Sequence, residues 1–273
     1  MLSHSFIHLP GIGVKTEEKL WQAGVHNWPQ WPESPPIKLP NSSFQQLSAL
    51  VQTSLTEISN GPEFFSKALP ANEQWRLFSH FRERTAYLDI ETTGLSPDAE
   101  ITTVSLFDGN NIYCYVNGRN LEDFEKDIFK YDVLVTYNGK GFDIPVLERW
   151  FRIKLPHAHI DLRYILAKLG FKGGLKGCEK QLGINRGALE GVDGYFAVLL
   201  WHDFINNNNE KALETLLAYN IEDTVNLERL LIEAYNRNVL TTPFGENLLI
   251  DQPKRVSIPY FPDFGTVERL MNR

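Results

Sequence analysis

The sequence predicts an α/β fold, a mixed sheet flanked by helices with a small N-terminal helical region ahead of it. Short runs rich in β-branched and aromatic residues begin with RTAYLDI at Arg84 and continue as EITTVSLFD, NIYCYV and DVLVTYN, each bounded by Gly, Asn or Asp. The first three follow one another at hairpin spacing, and after the third, helical patterns interleave with strands. A long helical pattern over roughly 210–236 closes the region. Hairpins followed by β–α–β alternation require antiparallel and parallel neighbours in one sheet.

The elements follow in order. Within residues 1–28, LPGIGVKTEEKLWQAGV reads as a glycine-bearing turn and a short amphipathic helix, with Thr16 as candidate cap and Leu20, Trp21 and Val25 as apolar positions. Five prolines in PQWPESPPIKLP (29–40) exclude regular helix and mark a linker. Residues 42–82 read as two helices divided at Asn60-Gly61-Pro62, the second broken again near Pro70. LEDFEKDIFKY forms a helix between strands three and four, and DIPVLERWFRI follows strand four. HAHIDL supplies a short fifth strand, with helices around 164–169 and 175–182 behind it and a polar loop at Asn206 to Asn209. Residues 237–273 lack periodicity, hold four prolines and read as a tail. Four regions result: 1–28, 29–83 (linker and helices), 84–236 and 237–273.

With 273 residues, 42% of them hydrophobic, the chain has enough apolar material for a substantial core. No apolar run approaches the roughly 18–20 residues that span a bilayer, so no membrane partner is expected. MLSHSFIHLPGIG has no basic stretch followed by an apolar core, and the expected location is cytoplasmic. Cys114 and Cys178 are the only cysteines, and their spacing excludes a disulfide framework and a cysteine zinc site. A net charge of -7 opposes nucleic-acid binding on average, but charge is segregated. Between positions 149 and 186, Arg149, Arg152, Lys154, Arg163, Lys168, Lys172, Lys176, Lys180 and Arg186 face only Asp161 and Glu179, a local balance of +7. Such a stretch is either a solvated helix surface or a path for a phosphate backbone. A neighbouring active site decides between them.

The acids supply that site. In AYLDIETTGL, Asp89 and Glu91 interrupt an apolar strand, and its period of two places both on one face. Asp143 opens a helix after the turn Asn138-Gly139-Lys140-Gly141, a junction that serves helix punctuation and ligand placement equally. In LLAYNIEDTVNLERLL, Tyr219 and Asp223 are four residues apart and share a helical face beside Leu216, Ile221 and Leu227. Glu222 is the alternative there, on a different helix angle. An oxygen-only set without paired His or Cys suits hard divalent cations, Mg2+ or Mn2+. Four carboxylates carry about the charge that two such ions neutralise, and paired ions roughly 3.5–4 Å apart hydrolyse phosphodiesters. A phenol near pKa 10 leaves two roles open for Tyr219, base or orienter of the attacking water.

These residues resemble a known set. Asp89-Ile90-Glu91 resembles the first motif of the DEDD-type 3'-5' exonucleases, Asn138-x-x-x-Phe142-Asp143 the second, and Tyr219-x-x-x-Asp223 the third in its tyrosine form, DEDDy. The wider stretch, including GLKGCEKQLG and EGVDGYFAVLLW, is similar to the bacterial YprB-like group of ribonuclease H-like proteins. The resemblance covers about 84–235. It implies a ribonuclease H-like mixed sheet with an antiparallel second strand. It also implies two metal ions on Asp89, Glu91, Asp143 and Asp223, with Tyr219 assisting the water. Thr92 and Leu95 would contact the terminal nucleotide, while Asn138 and Phe142 would line the cleft. Asp161 is expected either to support the site from behind its ligands or, the preferred reading, to pair with Arg163. LPGIG resembles a helix-hairpin-helix turn whose Gly11 and Gly13 would offer N–H groups to a phosphate, although only about eight residues precede it. Arg149, Arg152, Lys172 and Lys176 would guide the nucleic-acid backbone. The expected activity is 3'-5' exonucleolysis of single-stranded DNA or RNA. A catalytically silent nucleic-acid-binding scaffold and a structure-specific endonuclease are the alternatives.

Overall fold

A computed structural model describes residues 1–39, 43–96, 98–186 and 194–272. The five anticipated strands are β1 (Thr85–Thr92), β2 (Ile101–Phe107), β3 (Ile112–Val116), β4 (Val133–Thr136) and β5 (Ala158–Asp161), in the sheet order β3-β2-β1-β4-β5. Direct turns make β2 antiparallel to β1 and β3 antiparallel to β2. Two helical crossovers, α5 (Phe124–Ile128) and α6 (Asp143–Phe151), return the chain so that β4 and β5 run parallel to β1 and to each other.

The alternation of β1 sorts its side chains between two layers. Ala86, Leu88 and Ile90 share a core with Phe124 of α5 and with Val146 and Leu147 of α6. Tyr87 lies on the opposite face, in one core with Val133, Val135 and with Leu227, Leu230 and Leu231 of the long helix α10 (Glu210–Val239). Asp89 and Glu91 follow Tyr87 at period two and therefore also face α10. Three further helices, α7 (Leu162–Lys168), α8 (Gly174–Gln181) and α9 (Gly194–Asn207), complete this side. Phe196, Leu200 and Trp201 of α9 pack with Leu213, Leu216 and Leu217 of α10.

Ahead of the sheet lie α1 (Val14–Gln22), α2 (Phe44–Asn60), α3 (Glu63–Ala68), a 3-10 helix at Ala71–Leu77 and the single turn α4 (Phe78–Phe81). Gly13, not Thr16, caps α1: its carbonyl accepts the Thr16 N–H, so Thr16 lies inside the first turn. Trp31, Ile37 and Leu39 of the proline-rich segment rest on the same core as α10, and Trp75 and Phe78 set their edges against Tyr235 at 5.7 and 6.1 Å. The C-terminal tail is more ordered than its lack of periodicity suggested. It contains α11 (Gly245–Leu248) and α12 (Phe264–Met271), and Asp263 accepts the Thr266 N–H at 2.9 Å to start the latter. Among the described residues, no helix is long and apolar enough to cross a membrane.

Candidate active site

β4 accompanies β1 only as far as the pair Tyr87↔Val135, whereas β1 continues to Thr92. The turn after β4 and the start of α6 enter the space this leaves. Its shape depends on residue type: Asn138 adopts φ 66°, and a Cβ at Gly139 would sit 2.2 Å from Thr136 Oγ1. Asp161 fastens the turn from β5, accepting the N–H groups of Asn138 at 2.7 Å and Lys140 at 3.1 Å. It also accepts the Arg163 N–H at 3.1 Å as the cap of α7. The expected Asp161–Arg163 side-chain pair is therefore replaced: Asp161 is committed to three backbone N–H groups and supports the turn behind the acids. The Arg163 guanidinium donates to Asn138 Oδ1 instead.

Asp89 and Glu91 from β1 and Asp223 from α10 bring one carboxylate oxygen each to within 4.8 Å of one another. Glu222 turns aside, accepting from Asn226 at 3.4 Å. Asp143 reaches the group from the sheet edge, because α6 lies in the other layer and only its first residue passes the end of β4. Its carboxyl accepts the N–H of Ile90, which β4 no longer serves. Burial pushes Asp89 and Glu91 well above the usual carboxylate range, and the charges of Asp223 and Asp143 add to the push. Burial raises Asp143 to about 7 and raises Asp223 as well, although Arg186 and Lys176 oppose the latter. Four acids thus crowd a site that has too little positive charge of its own. The donor set is all oxygen and anionic, as a hard divalent cation requires.

The surrounding side chains fix this arrangement. Asn220, next to Tyr219, donates to Asp89 Oδ2 at 2.7 Å and accepts from Thr103 of β2 at 3.1 Å. Tyr219 is buried; burial first, then Asp223, Glu91 and Asp89, raise its phenol far above its ordinary value. Lys176 Nζ lies 4.7 Å from the centre of the Tyr219 ring. Arg186 pairs through Nε with Glu179 at 2.5 Å and through Nη1 with Asp223.

The other anticipated contact residues divide. Leu95 is 87% exposed beyond the end of β1, while Thr92 is buried and its hydroxyl donates to the Gly94 carbonyl at 2.7 Å. Phe142 is half-buried against the core that holds Ile90. The basic stretch is not one solvated stripe, since Lys154 pairs with Glu148, Lys168 with Glu73 and Arg186 with Glu179. Lys176 stands at the acids, and Lys172 is exposed just before α8. Arg149 and Arg152 are exposed at the opposite end of α6 from Asp143, roughly 9–13 Å along the helix axis. Gly11 and Gly13 are exposed in the turn before α1, preceded by a 3-10 helix of three residues, Leu2–His4, where a full first helix would stand. Asn220, Thr103, Glu179 and Asn226 carry no motif, and their place at the acids follows only from the packing of α10 on the sheet and of α8 beside it.

The model of the RNase H superfamily matches residues 86–235, which contain all of the sheet but Thr85 and every acid of the cluster. The chain belongs to the RNase H superfamily. The chain is 30% identical over 178 residues to the uncharacterized protein YprB of Bacillus subtilis (strain 168), covering 54% of this chain and 40% of that protein. A family B DNA polymerase from the hyperthermophilic archaeon Pyrobaculum calidifontis overlaps 61% of this chain at 17% identity with a TM-score of 0.43. The chain spans 27% of that polymerase. Membership of the RNase H superfamily accords with nuclease-type chemistry, and Asp89, Glu91 and Asp223 could hold one divalent ion.

Proposed function

We propose that this RNase H superfamily member is a divalent-metal-dependent 3'-5' exonuclease of the DEDDy type, hydrolysing single-stranded DNA or RNA to nucleoside 5'-monophosphates. The observation that carries the reading is the convergence of Asp89, Glu91 and Asp223 from distant parts of the chain, with Asp143 at their edge. Buried carboxylates this close repel one another unless cations lie between them. Asp89, Glu91 and Asp223 would hold one Mg2+ or Mn2+, and Asp143 at their edge would help to hold a second. Bound there, such ions supply water activation and stabilisation of the leaving oxygen.

The chain's own residues do the rest. Asn220 keeps Asp89 in a single orientation, the outer support that a ligating carboxylate needs. Burial and the neighbouring acids hold the Tyr219 phenol up in the metal-free site, which supports a role in orienting the attacking water over taking its proton. Lys176 and the exposed Lys172 would receive the phosphate backbone, and Leu95, exposed beyond the end of β1, would wedge against the terminal base. Residues 84–236 would carry the chemistry. The exposed Gly11 and Gly13 turn would add a duplex-phosphate contact, with Arg149 and Arg152 contacting the backbone farther from the acids.

Digestion of 5'-labelled single-stranded DNA, single-stranded RNA and duplex in Mg2+, Mn2+ or EDTA tests the reading. We expect a ladder shrinking from the 3' end in either metal, none in EDTA, and none with Asp89→Asn. Discrete internal cuts would make the protein an endonuclease. Oligonucleotide binding without metal-dependent cleavage would make it a silent scaffold.

A further inference from the structure

The guanidinium of Arg186 pairs directly with Asp223 of the acid cluster, and its surroundings give it two alternative partners. Its Nε end is anchored: Glu179 of α8 accepts it at 2.5 Å, and Asn226 of α10 holds the other Glu179 oxygen at 2.9 Å. Its Nη end is not. Nη1 pairs with Asp223, and Nη2 has no hydrogen-bond partner among the described residues, although the side chain is only 7% exposed. Buried guanidinium donors left in that state are costly, and they fit the fork of a phosphate as well as a carboxylate. Arg186 also lines a cleft of about 380 Å³ together with Lys176, Glu179, Lys180 and Asn185. Lys176, Lys180 and Arg186 outnumber Glu179 there, so the cleft is basic where the adjoining cluster is acidic and attracts a strand's phosphate to the neighbourhood of Arg186.

We propose that Arg186 couples the two occupants of the site: without nucleic acid it holds Asp223 and competes with the divalent ion, and a bound phosphate draws its Nη end away and releases Asp223 to the metal. The inference rests on reading Asp89, Glu91 and Asp223 as a cation site. Because Nε stays on Glu179, the exchange needs a swing of the guanidinium end and no movement of α8. Coupling of this kind is reciprocal, so metal must strengthen nucleic-acid binding by the same factor. Arg186 is thus a positioning residue that delays metal loading until substrate arrives.

Calorimetric titration of Mn2+ into the full chain, with and without a fully phosphorothioate-linked single-stranded oligonucleotide, tests it. In the natural protein the oligonucleotide should tighten Mn2+ binding roughly tenfold or more, within the usual range of coupling between sites. Arg186→Gln should bind Mn2+ roughly tenfold tighter without oligonucleotide and lose most of the dependence on it. Glu179→Gln/Arg186→Gln, which removes one charge of each sign and so protects the fold, should behave in the same way. If both variants bind Mn2+ no tighter than the natural protein, the coupling role is wrong. The cation-site reading fails separately, if Asp89→Asn leaves Mn2+ binding undiminished.

Discussion

Two buried charge clusters in this molecule look alike in composition and differ in balance. The first joins the N-terminal region to the sheet domain: Arg76 is held by Glu17 at 2.9 Å, Glu73 at 2.9 Å and Ser5 at 3.0 Å, while Lys168 pairs with Glu73. Two acids meet two bases, and a hydrogen-bonding hydroxyl and the Phe6 N–H complete the set. Burial pushes both acids upward: Arg76 and Lys168 outweigh it at Glu73 and hold that carboxyl below its usual range, while Glu17 stays raised although Arg76, Ser5 and the Phe6 N–H oppose the shift. The second cluster sets Asp89, Glu91, Asp143 and Asp223 against Arg186 and the nearby Lys176, and all four acids stay raised. The first closes on itself and holds the fold together. The second remains short of positive charge, which is what a site kept for an incoming cation looks like.

The contrast is broken most sharply by removing one member from each cluster. Arg76→Met should destabilise the protein by about 3–5 kcal/mol, the usual result of leaving buried carboxylates unpaired. Asp89→Asn relieves repulsion, so in EDTA it should be as stable as the natural protein or more so. Urea denaturation of both variants measures this, and a large loss of stability in Asp89→Asn would erase the distinction. A smaller effect is expected one contact farther out. Asn220→Ala leaves all four acids in place but frees Asp89 from its hydrogen bond, and it should lower metal affinity or hydrolysis roughly 10–100-fold. Initial rates against Mn2+ concentration would show it.

Stability against pH sharpens the comparison further. The acids of the site have raised values in the folded state, so between about pH 4 and their folded values the native protein binds more protons than the unfolded chain. The metal-free protein should therefore lose stability as pH rises through about 7, by a few kcal/mol at most from Asp143. Melting temperatures in EDTA across this range should fall, and Asp143→Asn should flatten the fall. A profile that Asp143→Asn leaves unchanged would mean that Asp143 does not share the cluster's charge.

The strands were legible because each is a β-branched or aromatic run with a turn residue at either end, and the period of two in β1 placed Asp89 and Glu91 on one face. The four-residue interval on α10 did the same for Tyr219 and Asp223. Helix α9 was hidden because Val198 and Leu199 fill the gaps between its buried Phe196, Ala197, Leu200 and Trp201, erasing the 3.6-residue rhythm. In α12 only Thr266 and Leu270 are buried, one turn apart, too few to form a pattern. Asn220 and Arg186 escaped for a different reason. Their partners lie 131 positions away for Asn220 (Asp89) and on α10 for Arg186 (Asp223), and no local spacing encodes such contacts. The charge count included Arg186 among nine bases, although its guanidinium is turned inward.

The central claim is that the acid cluster is a cation site. Diffraction from crystals soaked in Mn2+, with anomalous difference maps, tests it most directly. The account predicts a peak bonded at about 2.0–2.2 Å to oxygens of Asp89, Glu91 and Asp223. No peak at these carboxylates under saturating Mn2+, with the three side chains in place and oligonucleotide bound, would contradict it.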